Sequence, residues 1–527
     1  MRGIRSALPV IAGLALAACG GGSGTAPTPT IGAAVSGAIT LVQGQAGTAM
    51  VTITRSGGFS GAVDLATSGV PAGVTATFDP IAIPAGTGSG TSTLTLTAAT
   101  NAATGSVSYT VTASGAGVSA ATATGAVTVT PASVTSVSWK FCDLDNLPLH
   151  FSFQDGNGVW TAVTGSAAAD GRTYSFHVGS GTGGVAFVEG SLTINGFAVR
   201  EYHGTGAELQ AFADHECVAH PNLPRTINVS TAGSGPTDWA FMLFGRAIGV
   251  FPGAGSATTV RMPDGPADLI AVRVSATPPP LVVFTPISLI IRRGLDVPNG
   301  GTVPVVDFAT AEAFAPISAH VTVTNMDSDQ GLTEVSYQTA GATGTLYFAT
   351  AGPGSVHTVY GVPAARQAVT DLHVLSTTGV DLSATRTHVV WAKALTDMTV
   401  TLGPALVAPT FTLLGTTPYP RYQATGPIQA SYDDSFELRE TQSSIVIGGS
   451  RMWTITAGRG YFSGANYVLA FPDLSTSAGW QNLWAPSAGA SMSVGMTASG
   501  YSNNGTLPPN FEGGVAERAS RVVPVTP

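Results

Sequence analysis

Short segments in which every second residue is apolar recur along most of the chain, each closed by Gly, Pro, Ser or Asn. "GTSTLTLTAA" at residues 90–99 and "GSVSYTVTASG" at residues 105–115 are two of them. A period of two places Val107, Tyr109 and Val111 on one face of an extended strand, whereas a helix needs its apolar residues at a period near 3.6. The 66 glycines and 34 prolines among 527 residues supply the turns between such strands. The pattern predicts an all-β, multidomain chain. One short helix is expected, in "PVVDFATAEAFAP", between its flanking prolines.

The N-terminus follows a different logic. Arg2 and Arg5 precede "ALPVIAGLALAA", an apolar run too short to span a bilayer as a lasting helix and ending in small residues. That is the layout of a secretory signal. Leu16-Ala17-Ala18-Cys19 resembles the lipobox of bacterial lipoproteins. The resemblance implies cleavage before Cys19, leaving residues 1–18 as signal peptide. It also implies a thioether-linked diacylglycerol and an amide-linked acyl chain such as palmitate. Several chains anchor stably where one does not. Gly20 in place of Asp implies the outer membrane. "GGGSGTAPTPT" then reads as a tether over residues 19–30. Loss of Arg2 and Arg5 takes the net charge from −9 to −11. With no basic cluster, a nucleic-acid partner is not expected.

Residues 31–132 read as one β-sandwich. "GGFSGAVDLATSGVPAGVTATFDP" and "GTSTLTLTAATNAATGSVSYTVTASG" resemble the bacterial Ig-like domains appended to many secreted proteins. In that family the module serves as a spacer or adhesive element, so the resemblance implies presentation rather than chemistry. Tyr109 precedes Val111 as a tyrosine-corner Tyr precedes the second Ig cysteine, although that cysteine is absent.

Residues 133–232 form the next β region, with "QDGNG" as a hairpin turn between aromatic-rich strands. Besides Cys19 the chain holds only Cys142 and Cys217. In an exported protein these form a bridge, the alternative being two separate buried thiols. "GAGSATTVRMPDG" at Gly253 and "GPGSVHTVYGVPAA" at Gly352 are offset by 99 residues, as are "IIRRGLDV" and "VVWAKALT". The offset suggests two copies of one β unit, over 233–325 and 326–410, with chance similarity as the alternative. A C-terminal β region fills 411–527.

Several clusters invite a chemical reading. His203, His215 and His220 with Asp214 or Glu216 could converge on a metal, but His215 and His220 are five residues apart, about 140° round a helix. That spacing fails the zinc-protease pattern. Asn325, Asp327 and Asp329 alternate as in a calcium loop, yet Gln330 stands where such a loop needs Gly and Ser336 where it needs Glu. An acidic turn is the plainer reading. No cofactor is expected, calcium at this turn being the one candidate. Asp433, Asp434, Glu437 and Glu440, and Asp143 with Asp145, supply carboxyl groups of the kind a glycosidase pairs. No GxSxG nucleophile motif occurs. Tyr461, Tyr467, Trp480 and Trp484 lie in a Gly-rich setting where rings either stack on a ligand or fill a core.

The sequence therefore predicts a lipid-anchored envelope protein joined to the membrane through Cys19. Its expected role is non-enzymatic surface interaction, by adhesion or by binding a glycan or envelope protein. An envelope polysaccharide hydrolase and a structural stalk or surface-layer component are the alternatives.

Overall fold

A computed structural model describes residues 27–527 apart from 100–101, 131–134, 192–195, 246, 253–256, 277–283, 327–328, 352–355, 382, 445–448 and 504. Cys19 and Asp327 lie outside the described residues. The chain divides into two compact units, Met1–Pro131 and Ala132–Pro527. Strands dominate both, as the alternating pattern requires.

The first unit is a two-sheet sandwich. One sheet runs, in spatial order, Thr30–Val35, Ala46–Ser56, Gly90–Ala98 and Val74–Asp79. The other runs Ile39–Val42, Ala121–Thr130, Gly105–Gly115, Val63–Ser68 and Ala82–Ile83. Val51, Ile53, Leu94, Leu96, Val111 and Val127 meet between the sheets, all fully buried. Tyr109 is buried too, directly opposite Gly125, where a Cβ would sit 2.3 Å from its ring. The ring occupies the space a side chain at Gly125 would take. Among the described residues its hydroxyl has no hydrogen-bond partner, so it does not make the bond that defines a tyrosine corner.

The second unit contains two strand-for-strand duplicates. In the first, Arg225–Ala232 pairs antiparallel with Ala257–Met262 and parallel with Val306–Asp307. Asp238–Phe244 pairs with Ala247–Pro252 and Ala267–Ala276, which pairs with Phe284–Leu295. In the second, Ile317–Thr324 pairs antiparallel with Val356–Gly361 and parallel with Met398–Thr401. Gln330–Gln338 pairs with Thr343–Ala351 and Leu372–Val380, which pairs with Ala384–Ala392. Ala257–Met262 and Val356–Gly361, the fourth strands of the two, are 99 residues apart. The duplicates begin at Arg225 and Ile317, earlier than residues 233 and 326.

A twelve-stranded sheet runs through this unit. It takes strands from 133–232, 326–410 and 411–527 alike, and no described strand from 233–325. Its join is a parallel pair, Gly196–Thr205 beside Gly449–Gly458. One face is covered along the sheet. Phe436, Leu438, Trp453, Ile455 and Val494 pack there into the largest core, and Val335, Tyr337 and Leu375 continue it.

The α-helix Gly206–Ala219 and the sheet containing Thr135–Phe141 cover one end of the opposite face. The helix follows a capping box: Thr205 Oγ1 accepts from Glu208 N–H at 3.2 Å and Glu208 Oε2 accepts from Thr205 N–H at 2.8 Å. No helix forms in "PVVDFATAEAFAP". There Val306–Asp307 pairs with Thr231 and Ala232, and Asp307 Oδ1 accepts from Ala309 N–H at 2.9 Å, an Asx turn that competes with a helix. Cys142 and Cys217 form a disulfide with Cα atoms 5.1 Å apart, tying the helix end to the segment after Thr135–Phe141.

Candidate functional site

Beyond the helix, the second face of the twelve-stranded sheet carries a groove of about 440 Å³. A further 300 Å³ of groove shares Glu437, Arg439, Thr497 and Ser520 with it. Strand alternation explains the lining. On Ser435–Ser444 the even residues Phe436, Leu438 and Glu440 enter the core, so Glu437 and Arg439 face the groove. The same parity on its neighbours sends Trp453 and Ile455 inward and Thr456 outward, and Met496 inward and Thr497 outward.

Register aligns these outward residues in rows. Tyr202 lies opposite Thr456, Thr456 opposite Glu437, and Glu437 opposite Thr497. Thr497 lies opposite Ser520, and Ser520 opposite Thr385. The row crosses five strand spacings, about 24 Å. A second row holds Ser435, Ser499, Arg518 and Thr387 in order. A third places Arg439 on the other side of the first row. Thr385 and Ser520 hydroxyls hydrogen-bond at 2.5 Å, and Arg439 pairs with Glu437 at 2.8 Å.

The groove ends against the helix, where His215, Glu216 and His220 line it. Leu209, Phe212, Ala213 and Glu216 make the buried stripe of that helix, so a carboxyl occupies an apolar position. Burial, with the neighbouring Glu189 carboxylate second, pushes the Glu216 carboxyl up to about 7; Arg200, paired with Glu189 at 2.5 Å, acts in the opposite sense. His220 Nε2 lies 3.9 Å from Glu216 Oε1.

The residues singled out from sequence scatter. His203 stands on the covered face, next along the strand from Tyr202, where its Nε2 meets Glu201 Oε1 and its ring lies 4.7 Å from Tyr461. It is therefore separated from His215 and His220, because adjacent strand residues point to opposite faces. Asp329 accepts two hydrogen bonds from the Arg386 guanidinium, at 2.7 and 3.1 Å, and Asn325 Nδ2 donates to Leu402 C=O at 2.7 Å. Among the described residues no group of three or more His, Cys, Asp or Glu is placed to hold a metal.

The four aromatic residues serve the core rather than a ligand platform: Tyr467 and Trp484 are buried, and Tyr461 and Trp480 pack against the same core. Tyr467 meets Phe436, Trp480 meets Trp453 and Trp484, and Tyr461 meets His203 and Phe462. The acidic cluster splits as well. Asp434 accepts from Tyr501 N–H at 2.5 Å, Glu437 faces the groove and Glu440 lies in the core. Asp143 closes its own turn by accepting from Asp145 N–H, and Asp145 pairs with Arg261. The groove hydroxyls went unnoticed because they are ordinary outward residues of strands. Only knowing which strands adjoin reveals the rows.

No family model matches the chain, and no curated protein matches it. Among solved structures it is similar to a tetra-tandem repeat in the extending region of a large adhesion protein. That alignment has 12% identity and TM-score 0.13, covering 94% of this chain and 99% of that one. Domains 4–9 of surface layer protein SbsC align at 11% identity and TM-score 0.14, over 94% and 81%. Escherichia coli alpha-2-macroglobulin activated by porcine elastase aligns at 8% and 0.13, over 94% and 53%. At such scores no residue role transfers from any of them.

Proposed function

We propose that this chain is a lipid-anchored envelope protein that binds an extended glycan along the open face of its twelve-stranded sheet. The observation that carries the reading is the row Tyr202, Thr456, Glu437, Thr497, Ser520 and Thr385. Sugar hydroxyls both donate and accept; the hydroxyls of the row can do both, and the Glu437 carboxylate accepts. The strand spacing of about 4.8 Å is of the order of one pyranose ring. The Cys142–Cys217 bridge supports export, since disulfides persist in oxidising compartments. Cys19 supplies the anchor, the segment after it the tether, and the first sandwich an Ig-like spacer that holds the groove away from an outer membrane.

Co-sedimentation of the full chain with insoluble polysaccharides and peptidoglycan tests the binding. Saturable binding is expected, and the double change Thr456→Val, Thr497→Val is expected to weaken it about thirtyfold, each lost hydrogen bond contributing about 1 kcal/mol. Binding to none of the polymers, or binding untouched by the double change, overturns the reading. Cys19→Ala is expected to release the protein from membranes; unchanged membrane association sinks the anchor.

A further inference from the structure

The charges in the groove are not balanced, and their placement bears on which glycan it takes. Glu437 and Arg439 neutralise each other across 2.8 Å. Arg518 lies in the neighbouring row, flanked in register by Ser499 and Thr387. It is exposed, and its Nε donates only a long hydrogen bond, 3.4 Å, to Ser499 Oγ. Among the described residues no carboxylate lies within ion-pair distance of it. Arg439 keeps about half of its side chain exposed while paired. Two exposed guanidinium groups thus stand on opposite sides of the hydroxyl row, in a chain whose net charge is −9.

A guanidinium presents a planar fork of donors that matches a carboxylate in a bidentate pair. A cation kept exposed on an acidic protein, beside hydroxyl rows suited to sugar, fits a polymer that carries both groups. We infer that the groove selects a carboxylated polysaccharide, one with uronic acid units, whose carboxylate pairs with Arg518 while its hydroxyls lie along the Thr456–Thr497–Ser520 row. Arg439 exchanges part of its contact with Glu437 for a second carboxylate on the other side. The inference rests on the glycan-binding reading above and names the ligand class for that groove.

The test is calorimetric titration of the full chain, in detergent, with oligogalacturonate and with its methyl ester, in which a methyl group replaces the negative charge at each carboxyl. The acid form is expected to bind at least about tenfold more tightly at low salt, with that preference shrinking as salt rises. Arg518→Gln removes an exposed charge outside the core and is expected to erase most of the preference of the acid form over the ester. Equal binding of acid and ester overturns the selectivity yet leaves glycan binding standing. A preference that survives Arg518→Gln overturns the role of Arg518. Absence of binding to either probe or to any neutral polymer overturns the glycan reading itself.

Discussion

The Arg293 guanidinium of the first duplicated unit donates to the buried carboxylate of Asp371 in the second, at 2.5 and 3.1 Å. Tyr337 O–H donates to the same carboxylate at 2.6 Å and Ala368 N–H at 2.8 Å. Asp371 is fully buried, and Arg293 also lies 3.6 Å from Asp268 of its own unit. Ile270, Val272 and Val274 of the first unit share a core with Val321, Val335 and Leu375 of the second. The ion pair thus lies where the two copies join, and both oxygens of its carboxylate accept hydrogen bonds.

Asp371→Ala leaves the Tyr337 hydroxyl without its acceptor and the Arg293 charge with only the longer contact to Asp268. It is expected to cost about 2–4 kcal/mol, the lower end reflecting the partial exposure of Arg293. Asp371→Asn, which keeps acceptor oxygen for Tyr337, is expected to cost less. Urea denaturation of the chain, followed by the fluorescence of its tryptophans, gives both values. A loss below about 0.5 kcal/mol for the alanine variant would mean the junction is held by apolar packing alone.

Stability should fall as pH rises through neutrality. Burial, then repulsion from Glu189, lifts Glu216 to about 7, from an ordinary value of 4.5 that the unfolded chain restores. Below 4.5 both states hold the proton and the group contributes nothing. Between 4.5 and 7 the folded state keeps a proton the unfolded state has lost, so the slope of unfolding free energy with pH is negative. Above 7 the destabilisation is complete, at most about 3 kcal/mol. Glu440 acts in the same sense: it is buried, its Oε1 accepts from Tyr422 N–H at 3.1 Å, and its pKa is raised well above the ordinary range by burial. Glu216→Gln should therefore stabilise the fold at pH 8 more than at pH 5. Equal effects at both pH values would show that the carboxyl is not held protonated.

The helix beside the groove depends on glycine outside it. Glu208 Oε1 accepts from Gly460 N–H at 2.8 Å while its other oxygen closes the capping box. A Cβ at Gly460 would sit 2.7 Å from Glu208 Oε2, and one at Gly458 only 2.3 Å from Oε1. Thr205→Ala should cost about 1 kcal/mol, as a lost N-cap does. Gly458→Ala should cost more, since it displaces the Glu208 side chain and breaks both of its bonds. Hydrogen exchange at the first helical turn would register the loss in both variants. Unaltered protection in Gly458→Ala would remove the glycine from the account.

Strand content was legible because alternation is local, and the duplicated unit was legible at its fourth strand, where the offset of 99 residues holds. The twelve-stranded sheet was not, because its parallel pair joins Val199 to Trp453, a partnership no nearby residue announces. The same gap hid the groove: Glu437 and Glu440 look alike in sequence, yet three residues along a strand put them on opposite faces. Tyr467 and Trp484 offered rings, and burial, which decides between core and ligand platform, depends on the distant Phe436 and Trp453. The helix escaped because its fourth stripe position is Glu216 and its stripe is short. Thr205-x-x-Glu208 was the signal available for it.

Reducing the one described disulfide should act on the groove as well as on stability. The bridge closes a loop of 75 residues, which on the chain-entropy model contributes about 4–5 kcal/mol by restricting the unfolded chain. Cys217 also follows Glu216 directly, and the last helical turn carries Ala219 to the groove wall. The double change Cys142→Ser, Cys217→Ser should therefore lower the denaturation midpoint and loosen the helix C-terminus, while the capped N-terminus stays protected. Hydrogen exchange separates the two ends. If glycan affinity falls with the loosened turn, the wall formed by His215, Glu216 and His220 takes part in binding. If the turn loosens and affinity holds, the ligand lies wholly along the strand rows, and the helix only limits how far it extends.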